Sequence, residues 1–267
     1  MRHIGRMTLI RRDRRDHIEL WTLDRPDRLN ALPDLGDGEA FAAACEAVNA
    51  DQGVRCVVLT GAGDKAFVSG ADISQFDKIR SDADAQKEYG RRTAGGRLKL
   101  ATYGKPVIAE IRGFCMGGGL GIAMSCDIRM AAEGSQFGIP AAKLGIAYGF
   151  DMVKHLVSLV GPAYAHMILM TGERFDAREA ERVGLINRVV PADQLAAEVA
   201  RITATLAQNA PLSLFANKRT VQAVLQDRAD RDMAAIQADL NACFDSADYK
   251  EGRQAFMEKR KPAFQGR

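Results

Sequence analysis

A glycine triplet stands where one apolar run gives way to another. Gly113-Phe114-Cys115-Met116-Gly117-Gly118-Gly119-Leu120-Gly121 follows the strand-like Pro106–Ile111 and precedes the helix-like Ile122–Cys126. Consecutive glycines let the backbone approach a ligand with no Cβ in the way. A helix start also leaves N–H groups without an intrahelical partner, aimed at whatever lies in front of them. Such a turn suits a negatively charged oxygen. A second glycine turn, Ser69-Gly70-Ala71-Asp72, follows Lys65-Ala66-Phe67-Val68. The N–H groups of Ala71 and Gly118 are therefore candidates to converge on one oxygen atom. Two preorganised donors about 3 Å from a developing oxyanion are worth roughly 3–4 kcal/mol each.

Other chemistries fit less well. Gly119-Leu120-Gly121 continues with Ile122, Ala123 and Met124, so the third glycine of a dinucleotide-binding turn is missing. Ser69 and Ser125 have no evident His and Asp partners for a nucleophilic triad. The four histidines show no ligand spacing and no HExxH occurs, which argues against a metal site. Asp151 reads as the N-cap of the helix that follows it, and His155 as a core or interface residue. Asp72 and Asp127 read as structural acids, and Cys115 as packing. Tyr148, in Gly145-Ile146-Ala147-Tyr148-Gly149-Phe150, stays open between pocket wall and chemical participant.

The elements that must position these residues follow from periodicity. His17–Leu23 alternates like a half-buried strand and is broken by Asp24-Arg25-Pro26-Asp27. Glu39–Ala50 is expected to be helical, with Phe41, Cys45 and Val48 on one face. Val54–Leu59, Pro106–Ile111 and Asp127–Ala132 are short continuous apolar runs, as buried parallel strands are. Residues 74–100 are polar and expected to be helical. Strand followed by helix, repeated, predicts right-handed crossovers and an α/β layer structure. Beyond residue 150, helices are expected over Met152–Val160, Tyr164–Met170, Ala177–Val183, Leu195–Leu206, Leu212–Leu225 and Met233–Phe244. One strand is expected at Ile186–Val190. Leu195, Val199, Ile202 and Leu206 form an apolar stripe. The chain divides into an α/β core, 1–200, and a helical C-terminal region, 201–267.

Composition narrows the partners. The 267 residues are 47% hydrophobic and 27% charged, as in ordinary globular domains. A net charge of +3 is too small to make nucleic acid or a membrane surface the main partner. Arg11-Arg12-Asp13-Arg14-Arg15-Asp16 is locally basic and reads as a solvated turn. Five cysteines, odd in number and without a CxxC pair, read as reduced thiols. With no apolar run approaching about 18 residues, a cytoplasmic location is expected.

Together these stretches resemble the crotonase superfamily, the enoyl-CoA hydratase/isomerase enzymes. The matching pieces are Asp24–Leu32, Ala66–Ile73, Lys105–Ala109, Gly117–Gly119 and Cys126-Asp127-Ile128. They continue through Thr171-Gly172-Glu173, Ala177–Ala180, Gly184-Leu185-Ile186, Glu251–Phe256 and Glu258–Pro262, in the family's order. The resemblance implies a ββα spiral core, a helical C-terminal trimerisation region, and a homotrimer or hexamer. It implies an acyl-CoA substrate whose thioester oxygen lies between the amides of Ala71 and Gly118, on the way to an enolate. Coenzyme A is then part of the substrate, and no separate cofactor is expected. Implied substrate contacts are Arg28, Leu29, Ala31, Ala66, Ser69, Gly70, Asp72, Ile73, Phe114, Gly117, Ala141, Leu144 and Lys259. The last of these, with Arg260 and Lys261, is expected on the final helix, reaching coenzyme A phosphates.

The departure from the family's hydratases bears on the reaction. They carry two glutamates that position water and move protons; here the corresponding positions are Gly121 and Ala141. A well-placed general acid or base is worth about 100- to 10,000-fold, so efficient two-glutamate hydration is not expected. The stretch around Tyr148, and Asp245-Ser246 through Phe264, resemble the methylmalonyl-CoA decarboxylase branch. Decarboxylation or thioester hydrolysis using Tyr148 is the alternative reaction, and a non-catalytic CoA-thioester-binding protein the alternative of another class. RNA binding through the basic N-terminal segment is a third possibility, to be recognised by a steep dependence of affinity on salt.

Overall fold

An edge hairpin opens the fold. In the structure, a computed structural model describing residues 9–33, 36–75 and 81–267, β1 (Ile10–Arg15) runs antiparallel to β2 (Ile18–Leu23). The basic cluster expected as a solvated turn is this strand. Its side chains from Arg11 to Arg15 are exposed, as expected, but its backbone is spent on β2, in register from Ile10↔Leu23 to Arg15↔Ile18. The turn itself is confined to Asp16 and His17, with Asp16 in the left-handed region. Ion pairs Arg12–Glu19 and Arg14–Asp51 tie the strand down. A charged edge of this kind discourages further strand addition.

A repeating unit follows. Helix α1 (Gly36–Ala50) leads to β3 (Cys56–Gly61) and β4 (Ala66–Val68). Helix α2 (Ala83–Thr102) leads to β5 (Val107–Ile111) and β6 (Phe114–Met116). Helix α3 (Gly118–Met124) leads to β7 (Ile128–Ala132) and β8 (Gln136–Gly138). Each turn of this ββα spiral gives one strand to each of two sheets. Then come α4 (Phe150–Thr171), β9 (Arg174–Asp176), α5 (Ala177–Arg182) and β10 (Arg188–Val190). Among the described residues the larger sheet has the order β1-β2-β3-β5-β7-β10 and the smaller β4-β6-β8-β9. Among the described strand pairs, only β1–β2 and β8–β9 are antiparallel.

Four helices complete the chain: α6 (Leu195–Gln208), α7 (Pro211–Leu225), α8 (Met233–Asp245) and α9 (Ala247–Met257). Residue 200, where the sequence divides the chain, lies inside α6. That helix packs Leu195 and Val199 against Val58, Ile108 and Met130 of the large sheet, with Ile202 and Leu206 beside them. The two helices expected over Met152–Val160 and Tyr164–Met170 are the two halves of α4, parted at a non-helical Gly161, where φ is +73°, with Pro162 just after the break. Residues 76–80 of the expected helix 74–100, and residues 1–8, lie outside the described residues.

The core and the buried polar groups fix the layers. Trp21, Phe67 and Phe137 are fully buried, and α1 buries Phe41, Cys45 and Val48 as its spacing implies. Lys218 of α7 reaches the core: its Nζ donates to Asp127 Oδ2 at 2.9 Å and to the Lys105 carbonyl at 3.0 Å. Asp127 Oδ2 also accepts the Val107 N–H at 2.7 Å, so this acid is structural. At the other end of the chain, buried Asp248 accepts the N–H groups of Gln265 and Gly266, each at 2.7 Å. The Asp248 N–H donates to the Arg267 carbonyl at 3.1 Å.

Candidate active site

The two glycine turns lie side by side because their strands do. β4 and β6 are parallel neighbours, with Val68 opposite Cys115, so Ser69–Asp72 and Gly117–Gly118 leave the same edge of the small sheet. Gly70 has φ +118° and Gly117 φ +53°, backbone that side-chain-bearing residues rarely adopt. A Cβ placed on Gly117 would stand 3.9 Å from the Gly70 Cα.

Leu32 locks the first turn. Its N–H donates to the Gly70 carbonyl and its carbonyl accepts from the Asp72 N–H, both at 2.9 Å. This parallel bridge brackets Ala71 and turns its N–H away from Leu32. Gly117 caps α3, so Gly118 is the first helical residue and its N–H has no intrahelical acceptor. Neither amide has a hydrogen-bond acceptor among the described residues. Both residues border a cavity of about 650 Å³.

Of the positions singled out in the sequence, Ser69, Gly70, Ala71, Ile73, Gly117, Gly118, Gly121, Ala141, Leu144 and Tyr148 line this cavity. The Tyr148 hydroxyl oxygen is 3.3 Å from where a Cβ on Gly117 would be, which puts it beside the glycine turn. Arg28, Leu29, Ala31, Ala66, Asp72, Phe114 and Lys259 are outside the lining. Several of these brace it. Asn30, itself buried, donates from Nδ2 to the carbonyls of Ala62 at 3.0 Å and Ala66 at 2.7 Å, and the Ser69 N–H donates to the Leu29 carbonyl. Arg25 donates to the Ala31 carbonyl at 2.5 Å. Arg25 and Arg28 both reach Asp72 Oδ2, at 3.3 and 3.4 Å. The Ser74 hydroxyl, foremost, and these arginines hold the Asp72 carboxyl below its ordinary range. Asp72 is thus the clasp between the two segments. Phe114 lies under the Arg174 guanidinium, 5.1 Å from its ring centre.

Two sequence expectations need correction, the cap of α4 and the place of the last basic group. Asp151 is not the cap of α4; Gly149 is, and Asp151 sits in the first turn, where a negative charge still favours the helix dipole. His155, read as a core or interface residue, is partly buried and also borders the cavity; burial, with the nearby Arg129 charge, pushes its pKa down. The basic group Lys259-Arg260-Lys261 is not on the final helix, which ends at Met257. Lys259 takes φ +56°, and Arg260 is paired with Glu251 and Glu258.

The residues missed in the sequence come from helices. Tyr89, Thr93 and Arg97 of α2, and Met152 of α4, complete the wall. The three α2 residues stand four apart on one helix face, but nothing in that polar stretch marks the face as one that borders a cavity. A Cβ placed on Gly121 would lie 3.2 Å from Met152 Cε and 3.4 Å from Arg97 Cδ. Among the described residues no group of three or more His, Cys, Asp or Glu is placed to hold a metal, and no helix is long and apolar enough to cross a membrane.

The family model described as Enoyl-CoA hydratase/isomerase matches residues 13–267. The chain belongs to that family. Like other enoyl-CoA hydratase/isomerase members, it aligns along almost its whole length. It is 37% identical to a crotonyl-CoA hydratase of Syntrophomonas wolfei subsp. wolfei over 253 residues, 94% of this chain and 96% of the relative. It is also 37% identical to a short-chain-enoyl-CoA hydratase of Clostridium acetobutylicum, over 91% of this chain and 92% of the relative. Among solved structures, an enoyl-CoA hydratase/carnithine racemase from Magnetospirillum magneticum superposes with a TM-score of 0.90 at 38% identity, covering 98% of this chain and 97% of that one. The fold is the crotonase fold, and the chain is an enzyme of this family.

Proposed function

We propose that this enzyme acts on an acyl-CoA thioester, whose carbonyl oxygen the Ala71 and Gly118 amides hold while negative charge passes from the α-carbon into an enolate. One observation carries the reading: two unspent main-chain N–H groups border the same cavity at adjoining glycine turns. The names of the relatives from Syntrophomonas and Clostridium support an enoyl-CoA as the parent substrate class. Coenzyme A belongs to the substrate, and no cofactor, nucleic acid or membrane enters the scheme. The five cysteines are free thiols in the structure, in keeping with a cytoplasmic enzyme.

Efficient two-glutamate hydration is not part of this reading. Gly121 and Ala141 border the cavity but offer no carboxylate, and Arg97 and Met152 crowd the space in front of Gly121. The place of Tyr148 beside the Gly117 turn favours a second reading, decarboxylation or thioester hydrolysis. In decarboxylation the bond from the α-carbon to the carboxylate breaks, its electron pair enters the thioester as an enolate, and the α-carbon then takes a proton. The Tyr148 hydroxyl would orient the departing carboxylate.

The test is incubation with a panel of acyl-CoAs in D2O. Deuterium at the α-carbon, or release of CO2 or free coenzyme A, is the expected outcome. Tight coenzyme A binding with no exchange and no product would instead make the protein a thioester-binding scaffold. Under the second reading, Tyr148→Phe lowers kcat more than it raises KM; unchanged turnover removes Tyr148 from the chemistry.

A further inference from the structure

An unpaired cation stands in the wall of this cavity. The other cations there are already committed: Arg91 pairs with Glu88 at 2.7 Å and Lys154 with Asp227 at 3.0 Å. Arg97 pairs with no carboxylate among the described residues, and its guanidinium donates only to Thr93 Oγ1 at 3.3 Å. Asp151, the carboxylate on the lining, is exposed and does not reach it. The lining that the half-buried Arg97 shares is largely apolar, with Met116, Met124, Leu144 and Met152 in it. A guanidinium is costly to hold beside such a surface without an anion, and its planar fork matches a carboxylate with two parallel hydrogen bonds.

Its position fits the acyl end of the site. Arg97 Cδ is 3.4 Å from the Cβ position of Gly121, which lies about one helical turn along α3 from Gly118. We propose that the acyl group accepted here carries a carboxylate, which Arg97 grips while Ala71 and Gly118 hold the thioester oxygen. The inference rests on the thioester reading above and adds the substrate class: a short carboxyacyl thioester. It also explains an arginine in front of Gly121, where a wall for a plain hydrocarbon chain would be apolar.

The test compares an unreactive ω-carboxyalkyl thioether of coenzyme A with its neutral carboxamide isostere, by titration calorimetry on the full-length protein. The intact enzyme binds the carboxylate at least about tenfold more tightly, the range expected of a charge-assisted pair. In Arg97→Gln that ratio falls towards one, and Arg97→Lys keeps part of it. A merely structural Arg97 would weaken both probes alike and leave the ratio unchanged, which overturns the assignment. An intact enzyme that does not discriminate, or prefers the carboxamide, overturns the carboxylate proposal while the thioester reading stands. Failure of both thioethers to bind overturns the two together.

Discussion

At the scale of single residues, the site's donors are main-chain groups, and this decides how they can be tested. No side-chain truncation removes the N–H of Gly118. Proline does, and the first position of a helix is where proline fits best, because its missing N–H has no intrahelical role there. Gly118→Pro should therefore lower kcat about 10²- to 10³-fold, the usual effect of losing one oxyanion donor, while the circular-dichroism helix signal is kept. A variant with full activity would take Gly118 out of the mechanism. Both glycine turns were legible in the sequence because turn chemistry is local: Gly70 and Gly117 announce their backbone by residue type. Arg97 was not legible. It lies on a polar helix whose place is set by long-range packing, and only the completed fold turns it towards Gly121.

At the scale of elements, α7 is fastened to the β5–β7 layer by one buried ion pair. Burial pushes the Asp127 carboxyl above its ordinary range, and Lys218 pulls it back. Breaking such a pair on one side costs about 3–5 kcal/mol. Lys218→Met should show a loss of this size in urea unfolding at pH 8. The loss should shrink as the pH falls: a carboxyl whose pKa is raised by folding takes up a proton on folding, so acid relieves the stranded charge. A penalty independent of pH would mean that Asp127 finds another partner. The long strands and amphipathic helices were readable from periodicity, as Phe41, Cys45 and Val48 illustrate. β4, β6, β8 and β9 have three residues each, too few for a period to show. The Arg11–Arg15 strand misleads because an edge strand with exposed side chains has no apolar face to betray it.

At the scale of the whole molecule, the C-terminal helices present large apolar side chains to solvent. Phe256 is 82% exposed, Met257 80% and Phe244 63% in the single chain. Apolar surface of this kind marks an association site, in line with the trimer or hexamer implied by the family resemblance. Light scattering after size exclusion should give three or six times the 29.0 kDa of one chain. A monomer at micromolar concentration would contradict this. Phe256→Asp and Met257→Asp together should shift the population towards monomer without disturbing the cavity, whose lining they do not join.

The Asp248 latch has a practical consequence. Because its carboxylate collects the amides of Gln265 and Gly266, and the Arg267 carbonyl returns to the start of α9, the tail is stitched into the fold rather than left trailing. Clipping those few residues would strand a negative charge in the interior and unseat the helix that carries Phe256.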